Sequence, residues 1–292
     1  MEARLRRIAF GDTPGATLPS TAGIDPRCRW LVAVVRGARG EYAAAATALA
    51  ALSRGPDPVV AALASATYAA HRRQLGGHAA ARPLDAAALV LATAAMGRAD
   101  GGRSDPDGMD AMGALADALL GLAADNLALG RPAAARRFLG RAGEIDAGWR
   151  AAVRTGWVTA ELALSVGNAG AAVDAAERAE RLVAARGETR HLTKSRIVLA
   201  ASLAATGTAT ARARAARLVT RALADARATG LRSLSWPAGL LAADLVTDLV
   251  AEPEPSAAVR HRRDVTAELH ALLLRSDPQG RRLAYESAWV PL

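Results

Sequence analysis

Apolar residues along this chain return at steps of three and four, and no stretch beyond Asp25 alternates with period two for the length of a strand. The clearest unit covers residues 116–146. An apolar-periodic segment runs to Leu129, Gly130 interrupts it, and Pro132 opens a second segment in which Ala135, Phe138, Leu139 and Ala142 fall on one face. Glycine terminates a helix readily, and proline is tolerated in the first turn of the next, where its missing N–H breaks no bond. The pattern therefore predicts helix, turn, helix.

The same grammar recurs. Around Gly167 it predicts helices over 153–166 and 168–182, the second carrying Ala172, Ala176 and Ala179, and the step from Gly130 is 37 residues. Near the start, a helix over 27–39 precedes Gly40-Glu41-Tyr42, which opens a helix with Ala45, Leu49 and Leu52. Gly76-Gly77-His78 follows 36 residues after Gly40, with Ala81, Leu84 and Ala88 downstream. Pro83 there predicts a kink, or a helix start at Pro83 with 79–82 as a turn. A looser unit spans 192–229, turning at 207–210, with Ala215, Leu218 and Ala222 on its second helix. Beyond it, a helix over 233–250, an interruption at Glu252-Pro253-Glu254-Pro255 and a helix capped by Ser256 complete the pattern. Three regions follow: a flexible leader over 1–25, broken by Pro14 and Pro19; repeats over 26–232; and capping helices over 233–292. The excess between Gly76 and Gly130 lies in a Gly- and Asp-rich segment, expected as an exposed loop over 97–110.

The unit at 116–146 resembles the tetratricopeptide repeat. Gly130 matches the turn glycine, Ala123 and Ala135 the small crossing residues, Phe138 or Leu139 the bulky one, Ala142 the alanine after it, and Glu144-Ile145-Asp146 the ending. Ala147 stands where the family has proline, and Pro132 replaces a frequent turn tyrosine. The resemblance covers 27–229, and the recurring turn glycine is close to the family's period of about 34 residues. It implies an all-α fold: a right-handed superhelical array of antiparallel helical hairpins, a TPR-like α-solenoid whose last helices seal its open end. It also implies that the first helix of each hairpin lines a concave groove for a protein or peptide partner. By that carry-over the groove holds Arg27, Trp30, Arg73, Gln74, Asp117, Leu120, Leu127, Arg154, Trp157, Glu161, Lys194 and Ile197. Trp30 and Trp157 are anchors on this reading, or else fillers between hairpins. The lysine and asparagine set with which some members grip a terminal carboxylate is missing.

Composition changes the picture in two ways. Aromatic residues make up 3% of the chain while roughly a quarter is alanine, so helices approach closely and small side chains fill the core. The net charge of +9 and a pI near 11.0 invite an anionic partner. Lys194 is the only lysine, however, and arginine-, alanine- and glycine-rich composition also follows from GC-rich coding. The alternative function, a transcription-regulatory or nucleic-acid-associated factor, rests on Arg214, Arg217 and Arg221 on one helical face and Arg260, Arg262 and Arg263 on another. Repeats of this style also occur as sensor portions of bacterial regulators. No interleaved aromatics and no helix-turn-helix accompany these arginines.

Candidate chemistry is sparse. Cys28 stands alone, which excludes an intramolecular disulfide; Arg27 and Arg29 beside it lower its thiol pKa, unless it is buried. His71, His78, His191, His261 and His270 show no ligand spacing. The run Asp105-Pro106-Asp107-Gly108-Met109-Asp110 faintly echoes a calcium loop, with Ala116 where a bidentate Glu belongs. Neither phosphate-cradling glycine motif nor a nucleophile elbow is present. No catalytic residue, cofactor or metal is expected. The most apolar stretch, 111–129, contains Asp117 and Asp125, and no secretory signal is evident, so the expectation is a cytoplasmic chain with no membrane partner.

Overall fold

The computed structural model describes residues 1–20, 22–97, 104–249 and 255–292. Helix α1 (Glu2–Ala9) leads into six antiparallel hairpins. These are α2 (Pro26–Ala38) with α3 (Tyr42–Leu52), α4 (Pro58–Gln74) with α5 (His78–Met96), and α6 (Ala111–Ala128) with α7 (Pro132–Gly143). There follow α8 (Gly148–Ser165) with α9 (Ala169–Ala184), α10 (Thr189–Ala204) with α11 (Ala209–Ala228), and α12 (Arg232–Leu249) with α13 (Pro255–Leu274); α14 (Pro278–Glu286) closes the chain. The fold is all-α, 76% helical, with no strand among the described residues.

Local chemistry sets the ends of these elements. Asp25, Asp57 and Asp277 each precede a proline and accept backbone N–H bonds from Cys28, from Val59 and Val60, and from Gly280. Asp110, Asn168 and Thr208 do the same for Gly113, Ala171 and Ala211. At the other ends the turn glycines Gly40, Gly76, Gly130, Gly167 and Gly207 all have φ between 72° and 78°. Behind four of them the following N–H reaches back five residues: Glu41 to Arg36, Gly77 to Arg72, Arg131 to Asn126 and Asn168 to Ala163.

Consecutive hairpins lie side by side, with α2, α4, α6, α8, α10 and α12 forming an inner layer and their partners an outer one. Burial follows this division. Thirteen positions of α6 are buried, whereas α7 buries only Ala135 and Ala142. The inner layer closes on itself, because α12 returns to α2, where Ala38 meets Leu231 and Leu234. The outer elements seal the joint. The Ala43 N–H donates to the Arg275 carbonyl at 2.8 Å, and Tyr42 and Leu75 share an apolar cluster with Leu269, Leu272, Leu273 and Ala284. Arg72, only 3% exposed, makes two bonds to Asp277, at 2.9 and 3.0 Å.

Four expectations are corrected. The first part of the expected leader is packed: Leu5, Ile8 and Phe10 are buried against α2, and Arg39 holds the carbonyls of Pro14 and Ala16. The amphipathic spacing of Leu5 and Ile8 gave that segment a helix with one buried face. The loop at 97–110 is not wholly exposed, because Gly108 and Met109 are buried; its residues 98–103 lie outside the described ones. Pro83 neither starts α5 nor follows a turn, since it sits in the second turn of a continuous helix from His78. Of the interruption expected at 252–255, residues 252–254 lie outside the described ones, whereas Pro255 already begins α13, so Ser256 falls inside that helix and does not cap it.

By length and composition, α5 and α6 are apolar enough to cross a membrane. In α6 that apolar surface is two-thirds buried inside the ring, with Asp117 and Asp125 ion-paired there.

Candidate functional site: a cationic cavity inside the ring

The inner helices enclose a cavity of about 300 Å³. Of the residues assigned to the groove by resemblance, Trp30, Arg73, Gln74, Asp117, Leu120, Arg154, Trp157, Glu161 and Lys194 line it. Arg27 does not; it turns outward to bond the Met109 carbonyl at 2.9 Å and Asp105 at 3.3 Å. Ile197 lines a second, adjoining chamber, and Leu127 lines neither. Sequence reasoning missed Phe10, His71, His78, Arg150, Arg190 and His191. Arg150 was within reach, because Arg150, Arg154, Trp157 and Glu161 fall at i, i+4, i+7 and i+11 on α8; likewise Arg190, Lys194 and Ile197 on α10. Extending each stripe by one turn toward the helix start finds both arginines.

The tryptophans are wall, not protruding anchors. Trp30 is 1% and Trp157 7% exposed, and their indole N–H groups donate to Thr67 Oγ1 at 2.9 Å and Ser195 Oγ at 2.8 Å. His191 sits at the centre of the aromatic wall, stacked on Trp157 at 5.6 Å and edge-on to Trp149 at 4.8 Å. Lys194 Nζ lies 4.6 Å from the centre of the Trp157 ring, and the Arg150 guanidinium 4.6 Å from that of Phe10.

Charge is unevenly balanced. Arg73, Arg150, Arg154, Arg190 and Lys194 line the cavity with only Asp117 and Glu161 as lining carboxylates. Asp117 is shared by Arg150, at 2.8 Å, and Arg154. Behind the wall, Arg73 is held between Asp85 and Asp125, both fully buried, and His78 Nδ1 lies 3.3 Å from Asp125. Burial, helped by the Asp125 charge and opposed by Arg73, pushes the Asp85 carboxyl up to about 8. Among the described residues, Arg190 and Lys194 form no ion pair. Burial lowers both pKa values, Arg190 to about 10 with the neighbouring Arg150 contributing, and Lys194 with the Glu161 charge opposing. Five basic side chains thus line the cavity with two carboxylates.

The buried imidazoles add no charge. Burial, reinforced by Arg190, Arg72 and Arg73, drives His71 down to about 3, and His191 is lowered well below its ordinary value for the same reason. Their Nδ1 atoms have no hydrogen-bond partner.

Elsewhere, chemistry is tied up. The Asp105 loop, far from offering ligands to calcium, is filled by Arg6, which reaches Asp105 at 2.5 Å and Asp107 at 2.8 Å, while Trp149 donates to Asp107 at 3.0 Å. No cluster of three metal-ligating side chains occurs among the described residues. Cys28 is buried, and that burial, with Asp25 adding, raises its thiol to about 11, opposite to the effect expected of Arg27 and Arg29. The arginines of the nucleic-acid alternative lie on the outer layer. Arg214 bonds Glu177 at 2.6 Å and Arg262 bonds Asp244 at 2.9 Å, whereas Arg217, Arg221, Arg260 and Arg263 are exposed on α11 and α13. No known protein-family model matches the chain, and no curated protein matches it.

Proposed function

We propose that this chain is a non-catalytic, TPR-like helical array that binds an anionic group of a protein or peptide partner on its inner face. The observation that carries the reading is the pair of basic side chains, Arg190 and Lys194, at the cavity wall, neither in an ion pair among the described residues. Desolvated like charges raise one another's energy, and an entering anion relieves that repulsion where the low dielectric makes it largest. The small-residue helices supply a rigid frame, so little ordering is required on binding. Acidic residues on the partner supply selectivity.

The test is selection of random peptides on the intact protein and on the double variant Arg190→Glu, Lys194→Glu, with circular dichroism confirming that the variant is folded. Enrichment of Asp- and Glu-bearing peptides that lose at least tenfold in affinity for the double variant supports the reading. Selected peptides without acidic residues, or with equal affinity for both proteins, overturn it. So does steeply salt-dependent DNA or RNA binding abolished by Arg217→Glu with Arg260→Glu, which transfers function to the outer arginines.

A further inference from the structure

A second chamber, also about 300 Å³, adjoins the cationic one. The two share Gln74, Glu161, Lys194 and Leu234 as a common rim. Their chemistry differs sharply. Beyond the rim the second chamber is lined by Leu164, Ile197, Val198, Ala201, Trp236 and Pro237, with Ser233 the one hydroxyl among them. Leu164, Ile197 and Trp236 are only half-buried, so they leave apolar surface facing the space. Ser233 is 3% exposed and its Oγ has no hydrogen-bond partner. In the cationic chamber, the unpartnered His191 Nδ1 and Arg150 Nε are likewise buried polar atoms without an interaction. Buried polar groups ordinarily find partners, and these lie where a ligand would supply them. Lys194 stands at the junction, its ammonium over the Trp157 ring and its side chain lining both chambers.

We infer that the two chambers form one site for an amphipathic organic anion, its phosphate or carboxylate head among Arg190, Lys194 and Arg154 and its apolar tail between Trp236, Ile197 and Leu164. This rests on the reading of the inner face as an anion-binding surface and names the chemistry of the group it takes. Each chamber matches the lower end of small-molecule pockets in size. An apolar tail in the second chamber gains affinity by leaving water, and the cations fix the head, so neither half alone accounts for binding.

The experiment is calorimetric titration of the full chain, at constant ionic strength, with inorganic phosphate, hexyl phosphate, octyl phosphate, octanoate and 1-octanol. Octyl phosphate is expected to bind about fifteenfold tighter than hexyl phosphate, from about fourfold per added CH₂. Octyl phosphate and octanoate compared at equal tail length tell which head the site prefers. Ala201→Phe, which fills the second chamber, removes the tail-length dependence and leaves inorganic phosphate binding unchanged; Arg190→Glu weakens every anion and leaves 1-octanol unchanged. If inorganic phosphate and octyl phosphate bind equally, the two-chamber inference fails while the anion reading stands. If 1-octanol binds as tightly as octyl phosphate, the head plays no part and the inference fails. If none of the probes binds while acidic peptides do, the inference fails alone; if acidic peptides fail as well, the reading beneath it falls too.

Discussion

Single buried ionisable groups set how this protein responds to pH, and they act in opposite directions. His71 and His191 are buried neutral with lowered pKa values, so between their folded values and about 6.5 the unfolded chain binds two more protons than the folded one. Stability from these groups is present above 6.5 and lost as pH falls. Asp85 is raised to about 8, so above its unfolded value the folded chain holds a proton that the unfolded one has released. Its contribution is complete at low pH and is lost as pH rises toward 8. Two imidazoles outweigh one carboxyl below 6.5, and the carboxyl acts alone above it. For these groups stability therefore peaks near pH 6.5 and falls on either side by about 1.4 kcal/mol per unit. Urea unfolding at pH 5.0, 6.5 and 8.0 checks the shape. Asp85→Asn, which imitates the protonated acid, is expected to abolish the alkaline fall and steepen the acid one; an unchanged alkaline limb in that variant would show that Asp85 is ionised in the fold.

Helices and turns in this array are set by two kinds of glycine with different physics. Gly167 has φ of 74° and nothing within 4 Å of a built Cβ, so only backbone conformation is at stake. Gly167→Ala is expected to cost about 1 kcal/mol in chemical denaturation, the penalty of a left-handed alanine. Gly37 lies inside α2 with ordinary helical geometry, yet a Cβ there would stand 1.9 Å from His71 Nε2. Gly37→Ala must displace a fully buried imidazole ring and is expected to cost well over 2 kcal/mol. A Gly37→Ala cost no larger than that of Gly167→Ala would mean that α2 and α4 are not this close. The turn glycines were legible in the sequence because their job is local and recurs. The role of Gly37 was not, because nothing near it along the chain reveals that His71 crosses at that point.

At the scale of the whole molecule, closure of the ring depends on the joint between α4 and α14. Arg72 is buried there against Asp277, with the Tyr68 ring 4.7 Å from its guanidinium carbon. Removing the carboxylate leaves a buried cation short of its partner, which costs about 3–5 kcal/mol in general. Asp277 also caps α14, a contribution of about 1 kcal/mol. Asp277→Ala is expected to destabilise by several kcal/mol, and hydrogen exchange should accelerate first in α14 and at the start of α3, whose Ala43 N–H is bonded across the joint. Uniform acceleration throughout, with no early opening at the joint, would contradict this. The same closure turns the inner face of the array into a recess of about 300 Å³.

The sequence by itself determined the helices, their glycine reversals and the stripes that face inward, since these depend on periodicity and caps within a few residues. It also placed nine of the cavity's residues on the correct helices, from Trp30 on α2 to Lys194 on α10. Only the tertiary structure decided that α12 meets α2, that Phe10 belongs to the wall, and that Arg6 occupies the Asp105 loop. Tertiary structure alone also decided which cations stay unpaired. Arg150 and Arg154 share Asp117 from another hairpin, while Arg190 and Lys194 form no ion pair among the described residues. Pairing across such separations depends on where whole helices come to lie, and that is set by how small side chains let them stack, a sum over many contacts that no local pattern carries.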